Sequence, residues 1–339
     1  MLVKSSTETR TAPAASRFTA YPATWYVFCA AGDLARGPVS KDMLGGRLVA
    51  FRAANGRVAV LDARCSHLGA DLGRGEVVGD SVQCPYHHWR YGADGFCTHI
   101  PTTTDIPEFA CQGAYPAQEQ LGYVFFFNGL APLFPLPFFD DRRVEDFVAG
   151  NLFRFEADCP WYLVAANGFD TAHYHTVHDR VLIGGTKVDN PSPFARRIGY
   201  QAAITGDALA DSLLRRLVGK TVDVTITSWG GPLFLVTATY RRACSYIFII
   251  TRPADGGRTV TDVIPCAPRS QNAVGRALWM PLSLWARRFF TREFMCKDFD
   301  RLDGLRYNPR TLIEGDREMI EFFSWVVSLP QTNHQGEPT

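Results

Sequence analysis

The sequence predicts an α+β protein, in which a small unit of strands precedes a larger unit that combines an antiparallel sheet with helices. Three observations support this fold class. Strand and turn signals dominate residues 25–132, and four more strand-like runs separated by turn residues follow within 221–264. The stretches 273–305 and 316–327 have the apolar periodicity of helices.

We divide the chain into two domains, residues 21–135 and 136–330, between mobile tails at 1–20 and 331–339. The N-terminal tail is rich in Ser, Thr and Ala and lacks the apolar core of a secretory signal. We therefore expect a cytoplasmic protein.

The first domain contains two hairpin signals and a further strand. The apolar-alternating runs 47–52 and 57–62 are joined around Asn55-Gly56, and 89–91 and 96–100 flank Asp94-Gly95. Residues 123–127 predict another strand. The sequence therefore predicts a small all-β unit.

The second domain begins with a helical pattern at residues 162–177 and continues with strands. Predicted strands cover 221–228, 233–239, 244–252 and 259–264, separated by turn residues such as Gly230-Gly231-Pro232. This pattern is typical of an antiparallel meander.

A stripe of large apolar residues at 275–290, with Trp279 and Trp285, could lie in a membrane interface. Such a stripe more often packs on its own core, so we do not expect membrane association.

Charge and cysteine content limit the classes of function. The chain has 35 basic and 34 acidic residues and a net charge of +1, so no electrostatic argument for nucleic-acid binding follows. Nine scattered cysteines do not indicate a disulfide scaffold in a chain of this length. They indicate a reducing compartment in which some cysteines bind metal.

A first metal site is predicted by two mixed pairs of ligands. Cys65 and His67 are followed, after sixteen intervening residues, by Cys84 and His87. These residues could bind one zinc ion, or a [2Fe–2S] cluster with both thiolates on one iron and both imidazoles on the other. A zinc finger groups Cys with Cys and His with His, whereas mixed pairs among strands favour the cluster.

The residues around these ligands resemble a known family. Cys65-Ser-His-Leu-Gly-Ala-Asp-Leu-Gly73 and Gln83-Cys-Pro-Tyr-His-His-Trp-Arg-Tyr91 resemble the two cluster loops of Rieske non-haem iron oxygenases. The resemblance implies an all-β Rieske [2Fe–2S] domain followed by a helix-grip-like antiparallel sheet domain with a mononuclear iron. Most of the family has Gly at the position of His88, and a His there resembles the aminopyrrolnitrin oxygenase branch.

A second metal site is predicted between Asp170 and His178, where three histidines and one carboxylate occur close together. Two His and one carboxylate can bind one face of Fe(II) and leave positions for O2 and substrate, although zinc could also bind them. Helical spacing does not select the ligands, because His175 and His178 share a face of a straight helix. The family motif Asp-x2-His-x4-His selects His173 and His178 and leaves His175 out.

The same resemblance implies an acidic iron ligand on a late helix. Asp298, Asp300 and Asp303 are candidates, and Asp298 fits best because the run that follows it resembles ketosteroid hydroxylase-like relatives. In the family the residue matching Asp170 bridges the Rieske histidine of one subunit, here His87, to an iron histidine of the next. A homotrimer is therefore implied.

The resemblance implies an oxygenase component that uses O2 to hydroxylate, N-oxygenate, desaturate or oxidatively cyclise a hydrophobic aromatic or alicyclic molecule in specialised metabolism. The sequence has no dinucleotide fingerprint, so we expect a separate flavin- or ferredoxin-type reductase that uses NAD(P)H. We expect the substrate pocket to include Phe169, Val177, Trp229 and Phe234. An electron carrier without oxygenase activity, and a zinc-binding interaction module, are the alternatives.

Overall fold

The computed structural model describes residues 12–330 of the 339-residue chain. In chain order the strands are β1 (Trp25–Ala30), β2 (Val39–Met43), β3 (Gly46–Arg52), β4 (Val58–Asp62), β5 (Glu76–Val78), β6 (Ser81–Gln83), β7 (Arg90–Tyr91), β8 (Cys97–His99), β9 (Ala114–Tyr115), β10 (Ala117–Gln120), β11 (Tyr123–Phe127), β12 (Phe147–Ala149), β13 (Phe153–Ala157), β14 (Arg180–Ser192), β15 (Ala195–Ile204), β16 (Thr221–Trp229), β17 (Leu233–Tyr240), β18 (Cys244–Pro253) and β19 (Thr259–Pro268). The helices are α1 (Trp161–Ala166), α2 (Thr171–Thr176), α3 (Leu209–Val218), α4 (Met280–Leu302) and α5 (Arg317–Val326).

Strands β1 to β11 form three small antiparallel sheets with the orders β1-β11-β10, β2-β3-β4-β9 and β5-β6-β7-β8. The predicted hairpin joins β3 and β4, with Ala50 opposite Val60. Gly56 in its turn has a φ of +86°, a conformation that glycine adopts without steric cost. The all-β prediction for this half is confirmed.

Strands β12 to β19 form one eight-stranded antiparallel sheet in the order β12-β19-β18-β17-β16-β15-β14, and β13 also pairs with β19. The four predicted strands are its β16 to β19. The register sets Val236 between Ile226 and Ile247 on adjacent strands. Alternate residues of these strands therefore present one apolar face, against which α1 and α4 lie.

The sequence did not predict β14, β15 or α3. Strand β14 contains Gly184-Gly185 and Lys187, and most of its side chains are exposed. It therefore lacks the alternation of buried and exposed residues that marks a half-buried strand.

The predicted helix at 162–177 is broken into parts. Helix α1 ends at Ala166, a 3-10 turn covers Asn167–Phe169, and α2 begins at Thr171. The Asp170 side chain accepts hydrogen bonds from the backbone N–H groups of Ala172 and His173, which caps α2. This cap allows a new helix to begin in a different direction.

Part of the N-terminal segment that was expected to be mobile packs on the second half of the chain. The Phe18 ring stacks on Tyr162 with centroids 3.8 Å apart, and the Trp161 indole N–H donates to the Thr19 carbonyl oxygen at 3.0 Å. The aromatic stack and this hydrogen bond hold the segment against α1. The rest of the expected N-terminal tail, residues 1–11, and the expected C-terminal tail, 331–339, lie outside the described residues.

The apolar stripe at 275–290 forms a helix, but the expectation that it packs on the core is wrong for its largest side chains. A π-helical turn, Gly275–Trp279, leads into α4. The side chains of Leu278, Trp279 and Trp285 are 67%, 66% and 62% exposed. No helix within residues 12–330 is both long and apolar enough to span a bilayer.

Candidate metal centres and substrate cavity

The two predicted iron histidines are brought together by the end of a helix. Helix α2 ends at Thr176, between His173 and His178, and the chain then turns at Val177. The ring centroids of His173 and His178 are 5.1 Å apart, and both residues are buried. His175 points to solvent, as expected for a residue that does not bind metal.

Helix α4 contributes the carboxylate. Oδ1 of Asp298 lies 2.8 Å from Nε2 of His178 and 3.7 Å from Nε2 of His173. The donor atoms of the three buried residues all lie within 4.8 Å of one another. Two imidazoles and a carboxylate at this spacing fit a divalent ion such as Fe(II).

The other two candidate carboxylates point elsewhere. Asp300 is exposed. Asp303 ends α4, and its Oδ1 accepts a hydrogen bond from the backbone N–H of Asp158 at 2.6 Å. The helix phase therefore separates Asp298 from its neighbours, because two residues along a helix correspond to about 200° of rotation.

The outer nitrogens of the two histidines differ in their contacts. Nδ1 of His173 lies 2.5 Å from the carbonyl oxygen of Asp170, which leaves Nε2 directed at Asp298. Burial lowers the pKa of His173 below its usual value, so the ring is neutral and able to bind metal at neutral pH. Nδ1 of His178 is buried without a hydrogen-bond partner in the described part of the chain.

A cavity of about 380 Å³ lies against these three residues, and its walls are mostly apolar. Alternate residues of β16 to β18 form its floor, and α3 and α4 border it. Phe234 lines it, as expected.

Three residues that were expected in the pocket do not line this cavity. The Phe169 ring stacks on Phe322, with centroids 4.4 Å apart. Trp229 packs near Phe134, with centroids 5.3 Å apart, in a different part of the core. Val177 is half-buried at the turn after α2 and also lies outside the cavity lining.

The four predicted cluster ligands come from two loops that meet at one end of the first half. The ring centroids of His67 and His87 are 4.6 Å apart. Cys65 and Cys84 are buried. Burial raises the pKa of the Cys84 thiol, and the neighbouring Cys65 thiol raises it further. Two buried thiols and two adjacent imidazoles fit the donor set of a Rieske cluster.

Contacts around the cluster loops explain two features of the sequence. The Tyr91 hydroxyl lies 3.1 Å from Sγ of Cys65 and 3.0 Å from Oγ of Ser66. His88 has a φ of +60°, which is the left-handed conformation that glycine adopts most easily. This accounts for the glycine that most of the resembling family has at that position.

Sequence reasoning missed several residues of the iron site. The Phe294 ring stacks on His178, and the Arg180 guanidinium lies over the Phe294 ring, 5.9 Å from its centroid. Arg180 also donates to Asp211 of α3 at 2.6 Å. Phe294 lies one helical turn before Asp298, and this spacing is the only local signal that could have placed Phe294 at the site.

Comparisons with known proteins agree with this geometry. Residues 24–110 match the family model of the Rieske [2Fe–2S] domain. Aminopyrrolnitrin oxygenase PrnD of Pseudomonas fluorescens is 35% identical over 187 residues, which is 52% of this chain and 51% of that protein. The oxygenase component of 3-ketosteroid-9-alpha-monooxygenase of Rhodococcus rhodochrous is 38% identical over 122 residues, 36% of this chain and 31% of that protein.

The solved structure of NdmA with caffeine, from Pseudomonas putida CBB5, superposes with a TM-score of 0.66 at 17% identity and covers 89% of both chains. The sequence matches span about half of the curated relatives or less, whereas this structural match shows the fold over most of the chain. The chain therefore contains a Rieske [2Fe–2S] domain and is similar in sequence, over about half of its length or less, to oxygenases such as these.

Proposed function

We propose that this protein is the oxygenase component of a Rieske system, in which O2 and electrons from a separate reductase oxidise a hydrophobic aromatic or alicyclic molecule in specialised metabolism. The observation that carries the proposal is the buried group of His173, His178 and Asp298 beside an apolar cavity. An electron carrier would need neither a second metal site nor a substrate cavity.

The proposal assigns the [2Fe–2S] cluster to Cys65, His67, Cys84 and His87, and Fe(II) to His173, His178 and Asp298. Ferrous iron with open positions supplies O2 activation when it is bound. The chain holds the substrate against apolar walls and excludes water from the reacting centre. The cavity volume of about 380 Å³ suits a compact ring system rather than an extended polar molecule.

Asp170 has an arrangement that suits the expected bridge between subunits. Its Oδ1 caps α2 at 3.0 Å from the Ala172 N–H, and its carbonyl oxygen contacts Nδ1 of His173. The backbone carbonyl of Asp170 can therefore hold the ring of an iron ligand in place, while its carboxylate caps α2 and can also accept a hydrogen bond from His87 of a neighbouring subunit. This role requires a homotrimer. The homotrimer, the domain boundary near residue 135 and a cytoplasmic location are all parts of the proposal.

Metal analysis and turnover test the proposal together. Anaerobically reconstituted protein should contain about three irons per chain, of which two belong to the cluster. With O2 and NADH but no reductase, we expect no product; addition of a flavin- or ferredoxin-type reductase should give oxidation of a polycyclic test substrate. A content of about two irons per chain would favour the electron carrier, and colourless protein that binds zinc would favour the interaction module.

A further inference from the structure

We propose that the outer face of the Gly275–Trp279 turn and α4, together with α3, binds the surface of an anionic lipid bilayer and takes up apolar substrate there. We call this face the α3/α4 ridge; it comprises the exposed side chains of residues 209–217 and 274–292. Membrane binding is a separate claim, whereas substrate uptake rests on the proposed function. The sequence-based expectation of no membrane association is thereby revised.

The first argument is the size and arrangement of the exposed apolar side chains. Four large apolar side chains are more than half exposed: Leu278, Trp279, Leu282 and Trp285. Leu278 and Trp279 are adjacent in the chain, and Leu282 and Trp285 follow at intervals of three residues. Such spacing puts them on one side of a helix. Tryptophan prefers the boundary between water and lipid, where its ring is in apolar surroundings and its N–H stays hydrated.

The second argument is the charge of the same segment. Residues 274–292 contain no acidic residue and four arginines: Arg276, Arg287, Arg288 and Arg292. Arg276 and Arg292 are exposed. Exposed basic side chains beside apolar ones are the composition of helices that lie on anionic membranes.

Helix α3 repeats this combination of apolar and basic residues. Leu209 is 86% exposed, and Leu213 and Leu217 are also exposed. Residues 212–222 contain Arg215, Arg216 and Lys220 but no Asp or Glu. The one acidic residue of α3 itself, Asp211, is buried and paired with Arg180, so it does not repel a negative surface.

The third argument is continuity between the ridge and the cavity. Leu217 of α3 lines the cavity and is about half exposed, so the cavity reaches the surface beside it. Ala286 and Phe290 of α4 line the cavity from the other helix. Lys297 of α4 lies 3.9 Å from Asp211 of α3, which shows that the two helices are neighbours. An apolar molecule leaving the lipid would therefore enter the cavity without crossing water.

Other occupants fit this face less well. Two copies that met through it about a twofold axis would bring their arginines together, which costs free energy, and the contact of the proposed trimer involves His87 and Asp170 instead. An electron donor has to approach the loops of His67 and His87, which belong to the first half of the chain. A negatively charged bilayer satisfies both the apolar and the basic components.

Vesicle flotation with the full chain, loaded with iron, tests the proposal. The protein should bind phosphatidylcholine vesicles that contain phosphatidylglycerol, bind pure phosphatidylcholine more weakly, and lose binding at high salt as the basic contribution is screened. Combining Trp279→Ser with Trp285→Ser should weaken binding by roughly tenfold or more, because two large apolar contacts are lost. Leu130→Ser combined with Ile313→Ser removes exposed apolar residues elsewhere and should leave binding unchanged.

Two further measurements keep the test independent of folding and of turnover. In wild-type protein, brominated lipids should quench tryptophan fluorescence, and the visible spectrum of the cluster reports folding of each variant. Absence of binding to anionic vesicles, or equal binding by the tryptophan variant, would overturn the proposal. A fall in the native mass of that variant would instead assign the face to a subunit interface and also overturn it. Vesicle binding without any oxygenase turnover would contradict the proposed function alone.

Discussion

The imidazole of His178 lies flat against the ring of Phe294, with centroids 3.6 Å apart and an angle of 8° between the planes. Phe294 is one turn before Asp298 on α4, so a single helix provides both the carboxylate and the surface that supports the second histidine. Because Nδ1 of His178 has no hydrogen-bond partner within residues 12–330, the orientation of the ring rests on this stack and on the contact of Nε2 with Asp298 at 2.8 Å.

Replacing Phe294 with Leu should therefore weaken metal binding at the mononuclear site. Leu keeps the apolar volume but removes the flat surface, so His178 gains rotational freedom. We expect an approximately tenfold weaker affinity for Fe(II) or Co(II), in the range found when groups that orient metal ligands are changed. Calorimetric Co(II) titration measures this change. Phe289→Leu, on the exposed side of the same helix, is the control, and equal affinities for the two variants would contradict the argument.

Asp298→Asn should remove the mononuclear iron and leave the cluster in place. The amide oxygen carries no charge and is a much poorer ligand for Fe(II) than a carboxylate. Iron content should fall from about three to about two per chain, with an unchanged visible spectrum. Asp300→Asn changes an exposed neighbour and should keep about three. Loss of iron in the Asp300 variant but not in the Asp298 variant would reverse the assignment.

Tyr91→Phe should lower the reduction potential of the cluster. When Cys65 binds iron its sulfur has no proton, so the Tyr91 hydroxyl at 3.1 Å donates to it. That hydrogen bond stabilises the more negative, reduced state. Losing about 1 kcal/mol of this preference corresponds to about 40 mV for one electron.

Protein-film voltammetry measures the potential. Tyr115→Phe is a suitable control, because the Tyr115 hydroxyl donates to Asp62 at 3.1 Å and does not contact the cluster loops. An unchanged potential in Tyr91→Phe, or an equal shift in both variants, would show that the hydrogen bond does not tune the cluster.

Arg180→Met should destabilise the second half of the protein and loosen α3. The change leaves the Asp211 carboxylate buried, with the Lys297 ammonium 3.9 Å away. Breaking one side of a buried ion pair costs about 3 kcal/mol or more. Urea unfolding should show this loss, and proteolysis should cut faster within residues 205–220.

Arg197→Met offers a comparison on the same sheet. Arg197 pairs with Asp140 and Asp189 at the surface, where both carboxylates are exposed. Its loss should cost less than about 1 kcal/mol, because water screens exposed pairs. A similar loss of unfolding free energy in the two variants would mean that burial of the Arg180–Asp211 pair does not increase its contribution to stability.

Much of the arrangement of the candidate metal ligands could be predicted because it is local in the sequence. Cys65 with His67, Cys84 with His87, and His173 with His178 each lie within six residues, and short spacing limits how far apart the side chains can be. The strands β16 to β19 were predictable for a similar reason, since alternation of apolar residues directly reports one buried face.

Tertiary structure alone decided the features that depend on residues far apart in the chain. Asp298 rather than Asp300 faces the histidines because packing of α4 on β13 and β19 sets the rotation of that helix. Phe169 and Trp229 are apolar in the sequence like Phe234, but packing turned only Phe234 into the cavity. The sequence by itself determined which donor atoms are available and that α4 has an apolar stripe. Whether that stripe faces the core or the solvent is a matter of how separate elements pack, and no local pattern encodes that choice.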